Sequence, residues 1–88
     1  MDNEREVYDA FSRLYDRSKV DAHGHRHVSM VDLLNTNDLP QEKVLEVIEK
    51  WIASNFLAVE TGGTEVSLTS GLWVTSDGEI FFKTKYRV

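Results

Sequence analysis

Apolar residues recur at helical spacing in three stretches of the chain, and each stretch predicts a helix. In residues 4–17 the apolar side chains share one stripe, and charged side chains occupy the opposite face. The second stretch opens at Ser29, which with Asp32 has the spacing of a capping box. The third opens at Asp38, a suitable N-cap, and has Pro40 in its first turn, where a missing N–H does no harm. The predicted buried side chains are Val7, Ala10, Phe11 and Leu14, then Met30, Leu33 and Leu34, then Val44, Leu45, Val47, Ile48, Trp51, Ile52 and Phe56.

Strand-like sequence lies between and after these helices. A short strand is expected at residues 25–28, inside an otherwise irregular connection. Residues 57–60 and 65–69 contain strand-forming side chains, and they flank the Thr-Gly-Gly-Thr segment at residues 61–64. A Gly-Gly connection is typical of a tight hairpin turn, so the pattern predicts an antiparallel hairpin here.

The C-terminal residues 72–88 have two interpretations. In one, Thr75 caps a final helix that begins near Asp77. In the other, Asp77 and Gly78 form a hairpin turn that leads into a strand. The alternation of side chains after the turn favours the strand. One face would carry Ile80, Phe82, Thr84, Tyr86 and Val88, and the other Phe81, Lys83, Lys85 and Arg87.

Composition indicates an ordinary small globular protein. A chain of 88 residues, 41% of them hydrophobic, is expected to form one domain over residues 1–88. The absence of cysteine excludes a disulfide scaffold and any cysteine-based metal site or nucleophile, and it favours a cytoplasmic location. No apolar run has the length of a membrane span, so no membrane contact is expected. The net charge of −5 makes the average surface repel nucleic acid and anionic membranes.

The order helix, short strand, helix, tight turn, helix and hairpin resembles the winged helix-turn-helix superfamily. Residues 28–69 carry the resemblance, and the first helix extends it to most of the chain. It implies an α+β fold in which three helices precede a small antiparallel wing. In that superfamily the third helix usually enters the major groove of DNA, and the wing touches the backbone or minor groove. Many members regulate transcription, whereas others have lost DNA contact and join protein complexes.

The first functional hypothesis is a small transcriptional regulator that binds duplex DNA as a homodimer. The resemblance implies contacts from the third helix and the wing, and polar side chains that can reach DNA occur in both. The candidate contacts are Gln41, Lys43, Lys50 and Ser54 on the helix, and Thr61, Gly62, Gly63 and Thr64 at the tip of the wing.

The second hypothesis is a protein-interaction module that does not bind DNA. Across residues 28–79 the only basic residues are Lys43 and Lys50, against nine acidic ones. Such a surface is poor for neutralising phosphates. The acidic stripe Glu42, Glu46 and Glu49 on the third helix would instead meet a basic partner. We place DNA binding first on the resemblance alone.

Aromatic residues suggest a further protein interface. Helix one carries two tyrosines one heptad apart, and more aromatic residues crowd the C-terminal segment. Aromatic side chains are favoured at interfaces, although a well-filled core explains the same pattern. The candidate interface residues are Tyr8, Tyr15, Trp73 and Phe81.

The segment His-Gly-His-Arg-His contains the remaining candidate chemistry. In extended backbone His23, His25 and His27 point the same way, so two of them could chelate a zinc-like ion. A closed site usually needs four ligands, and a polar connecting loop is the favoured interpretation, with no metal and no cofactor. Histidine also titrates near neutrality, which makes a pH-sensing role conceivable. No catalytic triad or phosphate-binding glycine motif is recognisable, so an enzyme is not expected.

Overall fold

The computed structural model describes residues 3–63 and 65–86, and in this part of the chain four helices pack around a three-stranded sheet. The elements are, in chain order, α1 (Asn3–Arg17), β1 (His27–Ser29), α2 (Met30–Thr36), α3 (Gln41–Ala53), β2 (Leu57–Val59), β3 (Gly71–Val74) and α4 (Ser76–Tyr86). The predicted α+β class is confirmed, and so are the first three helices. The fold is compatible with the winged-helix arrangement, which stays a prediction.

The predicted N-cap position of α2 is confirmed but its capping bond is not, and the predicted N-cap of α3 is wrong. Ser29 precedes α2 in extended backbone, but its side chain makes no capping hydrogen bond. Helix α3 begins at Gln41, and its N-cap position is Pro40, two residues after the predicted N-cap Asp38. The reason is a local turn: the backbone N–H of Leu39 donates to Oδ1 of Asn37 at 2.8 Å, which holds the chain out of helical conformation until Pro40.

The sheet is antiparallel, with β3 in the centre and the order β1-β3-β2. Leu72 of β3 lies opposite Val28 on one side and Val59 on the other, and all three side chains are buried. The predicted pairing of β2 with residues 65–69 is therefore wrong, because β2 pairs with β3 instead. The alternation in β3 buries both Leu72 and Val74, whereas Leu68 of the predicted strand is exposed.

Residues 60–70, which join β2 to β3, form the segment called here the wing loop. The structure describes all of it except residue 64. Its far end is a compact turn, in which the backbone N–H of Ser67 donates to Oγ of Ser70 at 2.9 Å. That end is tied to the body of the protein because the backbone N–H of Met30 donates to the carbonyl oxygen of Ser70 at 2.9 Å.

The C-terminal segment is a helix, so the favoured strand prediction is wrong. Thr75 is the N-cap of α4: its Oγ1 accepts from the backbone N–H of Gly78 at 3.0 Å and donates to the carbonyl oxygen of Asn55 at 2.5 Å. Gly78 lies directly against Phe56, and a Cβ placed there would be 1.9 Å from the Phe56 carbonyl oxygen. Residues 87 and 88 of the predicted strand lie outside the described residues.

Helix α4 closes an aromatic core against α1 and α3. Phe82 is 6% exposed, and its ring meets that of Trp51 edge-on at a centroid distance of 4.9 Å. Phe11 of α1 contacts both rings, at centroid distances of 6.4 Å each. Edge-to-face arrangements of this kind are favourable beyond their buried area. Within the described ranges, no helix is both long enough and apolar enough to cross a membrane.

Candidate functional site

Helix α3 lies on the sheet through one face and leaves the other open to solvent. Its buried side consists of Val44, Val47, Ile48, Trp51 and Ile52. The helical period therefore exposes the residues between them, as the sequence pattern predicts. The exposed face of α3, as the term is used below, consists of Gln41, Glu42, Lys43, Glu46, Glu49, Lys50 and Ala53. Ser54, which follows the helix, is exposed as well.

Both lysines of this face are already paired with carboxylates. Nζ of Lys43 lies 3.9 Å from a carboxylate oxygen of Glu46, one turn further along the helix. Lys50 donates to Glu4 of α1, which also accepts from Nζ of Lys85 in α4 at 3.2 Å. This set of Glu4, Lys50 and Lys85 is called here the helix network. Its lysines lower the pKa of Glu4, with Lys50 contributing most and partial burial opposing the change.

The exposed face of α3 is therefore acidic in effect. Glu42 and Glu49 have no cationic partner among the described residues, and Glu46 has only the long contact with Lys43. Glu42, Glu46 and Glu49 follow a spacing of four and three, which places their carboxylates along one stripe of the helix. The stripe is about 10 Å long at a rise of 1.5 Å per residue.

The tip of the wing loop supplies no positive charge. Thr61, Gly62 and Gly63 are exposed, and Gly62 has a φ of +85°, which an L side chain rarely adopts. Its backbone N–H donates to the carbonyl oxygen of Val59 at 2.9 Å, so a turn follows β2 directly. Thr64, a predicted DNA contact, lies outside the described residues. Glu65 adds an exposed carboxylate on the other side of it.

The two tyrosines of the predicted aromatic interface flank an open groove between α1 and α4 with a volume of about 520 Å³. Tyr8 is only 6% exposed, and its ring stacks on that of Tyr86 at a centroid distance of 4.3 Å. Tyr15 is half-buried, and its hydroxyl donates to Glu79 at 3.5 Å. Contacts within the domain therefore account for most of the surface of Tyr8.

Of the other two predicted interface residues, Phe81 joins the same aromatic cluster through Tyr86, whereas Trp73 lies on the sheet. Phe81 is half-buried and stacks on Phe56, with ring centroids 4.0 Å apart. Trp73 lies on β3, half-buried, and its ring packs against that of His25 at a centroid distance of 4.3 Å. The four aromatic residues thus do not form one continuous surface.

The three histidines have separate environments. His23 is exposed, and its backbone N–H donates to Oδ1 of Asp21 at 2.8 Å. His25 packs on Trp73, as described above. His27 lies on β1 and points toward two carboxylates. No group of three or more histidine and acidic side chains suited to holding a metal ion occurs within residues 3–63 and 65–86.

His27 joins two distant parts of the chain. Its Nε2 lies 2.5 Å from Oδ2 of Asp21, in the loop before β1, and its Nδ1 lies 2.7 Å from Oε1 of Glu60, the first residue of the wing loop. This set of Asp21, His27 and Glu60 is called here the histidine clamp. Gly71 makes room for it, because a Cβ at Gly71 would be 2.1 Å from Oε1 of Glu60.

Electrostatics within the clamp favour the charged forms. The hydrogen bond to Asp21 raises the pKa of His27 above 6.5, with Glu60 adding to the change and partial burial opposing it. The backbone N–H of His25 and the ring of His27 both lower the pKa of Asp21 below 3.8. Each partner therefore stabilises the ionised state of the other.

Four residues in or beside these two ionic sets were not identified from the sequence as members of a site: Glu4, Asp21, Glu60 and Gly71. Glu60 is 33 residues from His27, and Glu4 is 46 residues from Lys50. Neither separation leaves a periodic signal in the sequence. The one available hint was the placement of Asp21 near the histidine segment.

Comparisons of the chain with protein-family models, with curated proteins and with solved structures give no match.

Proposed function

We propose that this domain is a protein-interaction module that binds a basic partner through the exposed face of α3. The observation that supports this most directly is the pairing of Lys43 with Glu46 and of Lys50 with Glu4. Because Lys50 is held by Glu4 of α1, the face carries the three carboxylates of Glu42, Glu46 and Glu49 against one ammonium group, that of Lys43.

Phosphate binding is disfavoured on the same surface. Affinity for duplex DNA comes largely from lysine and arginine side chains that displace counterions from phosphates. Freeing Lys50 for that purpose would break its contact with Glu4, which joins α3 to α1. The described residues of the wing loop add Glu60 and Glu65 and no basic side chain.

The chemistry of the partner follows from the stripe. Three carboxylates over about 10 Å match a segment that carries several lysine or arginine side chains at similar spacing. Arginine is the better match because its guanidinium binds a carboxylate through two hydrogen bonds. A basic helix or an extended basic tail both satisfy this requirement.

Duplex DNA is the second candidate, and the order of the elements favours it. A strand, two helices joined by a short turn and a two-stranded wing follow one another as in the winged-helix arrangement. Gln41, Lys43 and Ser54 are exposed at the two ends of α3, where a groove-reading helix would place them. This candidate requires Lys50 or Lys43 to exchange its carboxylate for a phosphate.

The test is fluorescence anisotropy with two probes, a labelled arginine-rich peptide and a labelled random duplex, each titrated at several salt concentrations. We expect salt-sensitive binding of the peptide and none of the duplex. Glu42→Lys with Glu46→Lys should abolish peptide binding. The matched control is Asp9→Lys with Asp16→Lys, which changes the net charge equally on exposed positions of α1 and should bind as the native protein does.

Two results would contradict the proposal. Peptide binding that falls equally in both double variants would mean that net charge alone attracts the peptide. Duplex binding that weakens steeply with salt, and that Lys43→Ala with Lys50→Ala removes, would establish DNA as the ligand instead.

A further inference from the structure

The histidine clamp has a hydrogen-bonding pattern that only one protonation state satisfies. A neutral imidazole has one N–H donor and one acceptor nitrogen, and an ionised carboxylate only accepts. His27 faces a carboxylate oxygen at each ring nitrogen, at 2.5 and 2.7 Å. Both contacts are hydrogen bonds only when the ring is an imidazolium with two donors.

Loss of the proton affects the two carboxylates unequally. Asp21 has other anchors, since its Oδ1 accepts from the backbone N–H groups of His23 and His25 at 2.8 and 3.0 Å. Glu60 has no hydrogen-bond partner for its carboxylate other than His27 among the described residues. A neutral His27 therefore keeps its proton on Nε2 toward Asp21 and turns a lone pair toward Glu60.

The other charged and titratable groups near the clamp do not substitute for His27. Arg26, the preceding residue, donates to the carbonyl oxygen of Ser18 at 2.6 Å. The ring of His25 packs on Trp73, which lies opposite His27 on β3. On the β2 side, Glu60 itself is the group that faces His27.

Glu60 is also the point where the wing loop leaves the sheet. The far end of the loop is held by the turn at Ser67 and Ser70 and by Met30, with no titratable group involved. Residues 61–63 and 65 between the two ends are exposed. The near end has backbone bonds from Glu60 to Gly71 and from Gly62 to Val59 and, among the described residues, one side-chain attachment, from Glu60 to His27.

We propose that the histidine clamp is a proton-operated latch on the wing loop. Protonated His27 holds the Glu60 side chain over Gly71 and so reinforces the backbone bonds at the near end of the loop, and neutral His27 removes that side-chain attachment. This inference goes beyond the proposed function and does not depend on it, because Glu60 is not part of the exposed face of α3.

The test is an NMR titration that follows the ring of His27 and the backbone amides of the wing loop together. In the native protein, the amides of residues 61–63 should shift with the same midpoint as the His27 ring. Amide exchange at Gly62, corrected for its intrinsic dependence on pH, should speed up by roughly tenfold above that midpoint, the factor expected from losing one hydrogen bond to a charged group.

Two substitutions of Glu60 separate the latch from a merely structural contact. Glu60→Gln should hold the loop at every pH, because an amide can accept from the imidazolium or donate to the neutral ring. Glu60→Ala should leave the loop released at every pH. His25→Gln, the control, should keep the native behaviour.

The proposal would be overturned if the wing-loop amides of the native protein did not shift as His27 titrates. It would also be overturned if those amides still followed the titration in Glu60→Ala, since the proton would then act through another contact.

Discussion

The helix network and the histidine clamp are three-residue ionic sets with opposite composition. In the helix network one carboxylate, Glu4, lies between two lysines from α3 and α4. In the histidine clamp one imidazole, that of His27, lies between two carboxylates from separate loops. The first joins α1 to α3 and α4, and the second joins the loop before β1 to the start of the wing loop.

The two sets respond differently to pH because of their cations. Lysines keep their charge throughout the neutral range, and Glu4 raises the pKa of Lys85 further. Histidine loses its charge within that range. The helical end of the molecule is therefore held under all ordinary conditions, whereas the attachment of the wing loop is conditional.

The largest effect is expected at Gly78, which allows α4 to pack directly against the backbone of Phe56. The Cβ of alanine at Gly78 would collide with the Phe56 carbonyl oxygen, which belongs to the backbone and cannot rotate away. We expect Gly78→Ala to lower the free energy of unfolding by about 3 kcal/mol, measured by urea denaturation. A loss below about 1 kcal/mol would mean that α4 docks more loosely than described.

Gly71→Ala makes the corresponding change at the histidine clamp, and a smaller loss of stability is expected. Here the colliding atoms belong to the Glu60 carboxylate, which can swing aside. We expect a loss of about 1.5 kcal/mol, which combines local strain with loss of the contact to His27. The same denaturation series should also show less dependence on pH. Native pH dependence in this variant would show that Glu60 does not act through His27.

A substitution of His27 itself should reveal the conditional nature of the clamp. Folding raises the pKa of His27. The stabilisation of the folded state by charged His27 is therefore fully present below about pH 6.5, the ordinary pKa of histidine, and is lost as pH rises through the pKa of His27 in the folded protein. Asp21 sets the acid limit, since its stabilisation is present above 3.8 and is lost as pH falls.

The native protein should therefore exceed His27→Gln in stability by about 1 kcal/mol between these limits, and the difference should shrink in alkaline solution. Thermal denaturation across a pH series measures it. If the stability difference between the native protein and His27→Gln grew with pH, charged His27 would not be the stabilising form.

Glu4→Gln should have the smallest effect. Its two lysines are substantially exposed, with side-chain exposures of 63% and 45%, so solvent screens the interaction. We expect a loss of about 0.5 kcal/mol that stays constant from neutral to mildly alkaline pH. Because the pKa of Glu4 is lowered on folding, its contribution disappears only as pH falls below 4.5. If Glu4→Gln lowered the stability only in alkaline solution, the helix network would depend on pH in the neutral range, contrary to the difference between it and the histidine clamp.

The sequence was sufficient to predict features that depend on local periodicity. The buried and exposed faces of α1 and α3 follow from spacing alone, and so does the acidic stripe on α3. The state of its lysines was not predictable, because Lys50 finds its partner on α1, 46 residues away. Charge can be counted from sequence, but whether an ammonium group is free depends on tertiary contacts.

The C-terminal helix shows a different limit. Phe82 and Tyr86 lie four residues apart, a spacing that fits one face of a helix and also the even positions of a strand. Thr75 and the close approach of Gly78 to Phe56 decide between them in favour of the helix. The cap at Thr75 is a local signal in the sequence, whereas the approach of Gly78 to Phe56 is a tertiary contact that no local pattern encodes.

The contrast between the two ends is tested most directly by amide hydrogen exchange on the native protein at about pH 5.5 and at a pH above the measured midpoint of the His27 ring titration, corrected for intrinsic rates. The account predicts that protection at Gly62 in the wing loop falls between the two conditions, while protection at Glu79 in α4 stays the same. Equal protection at Gly62 under both conditions would contradict it, and so would a parallel fall at both positions.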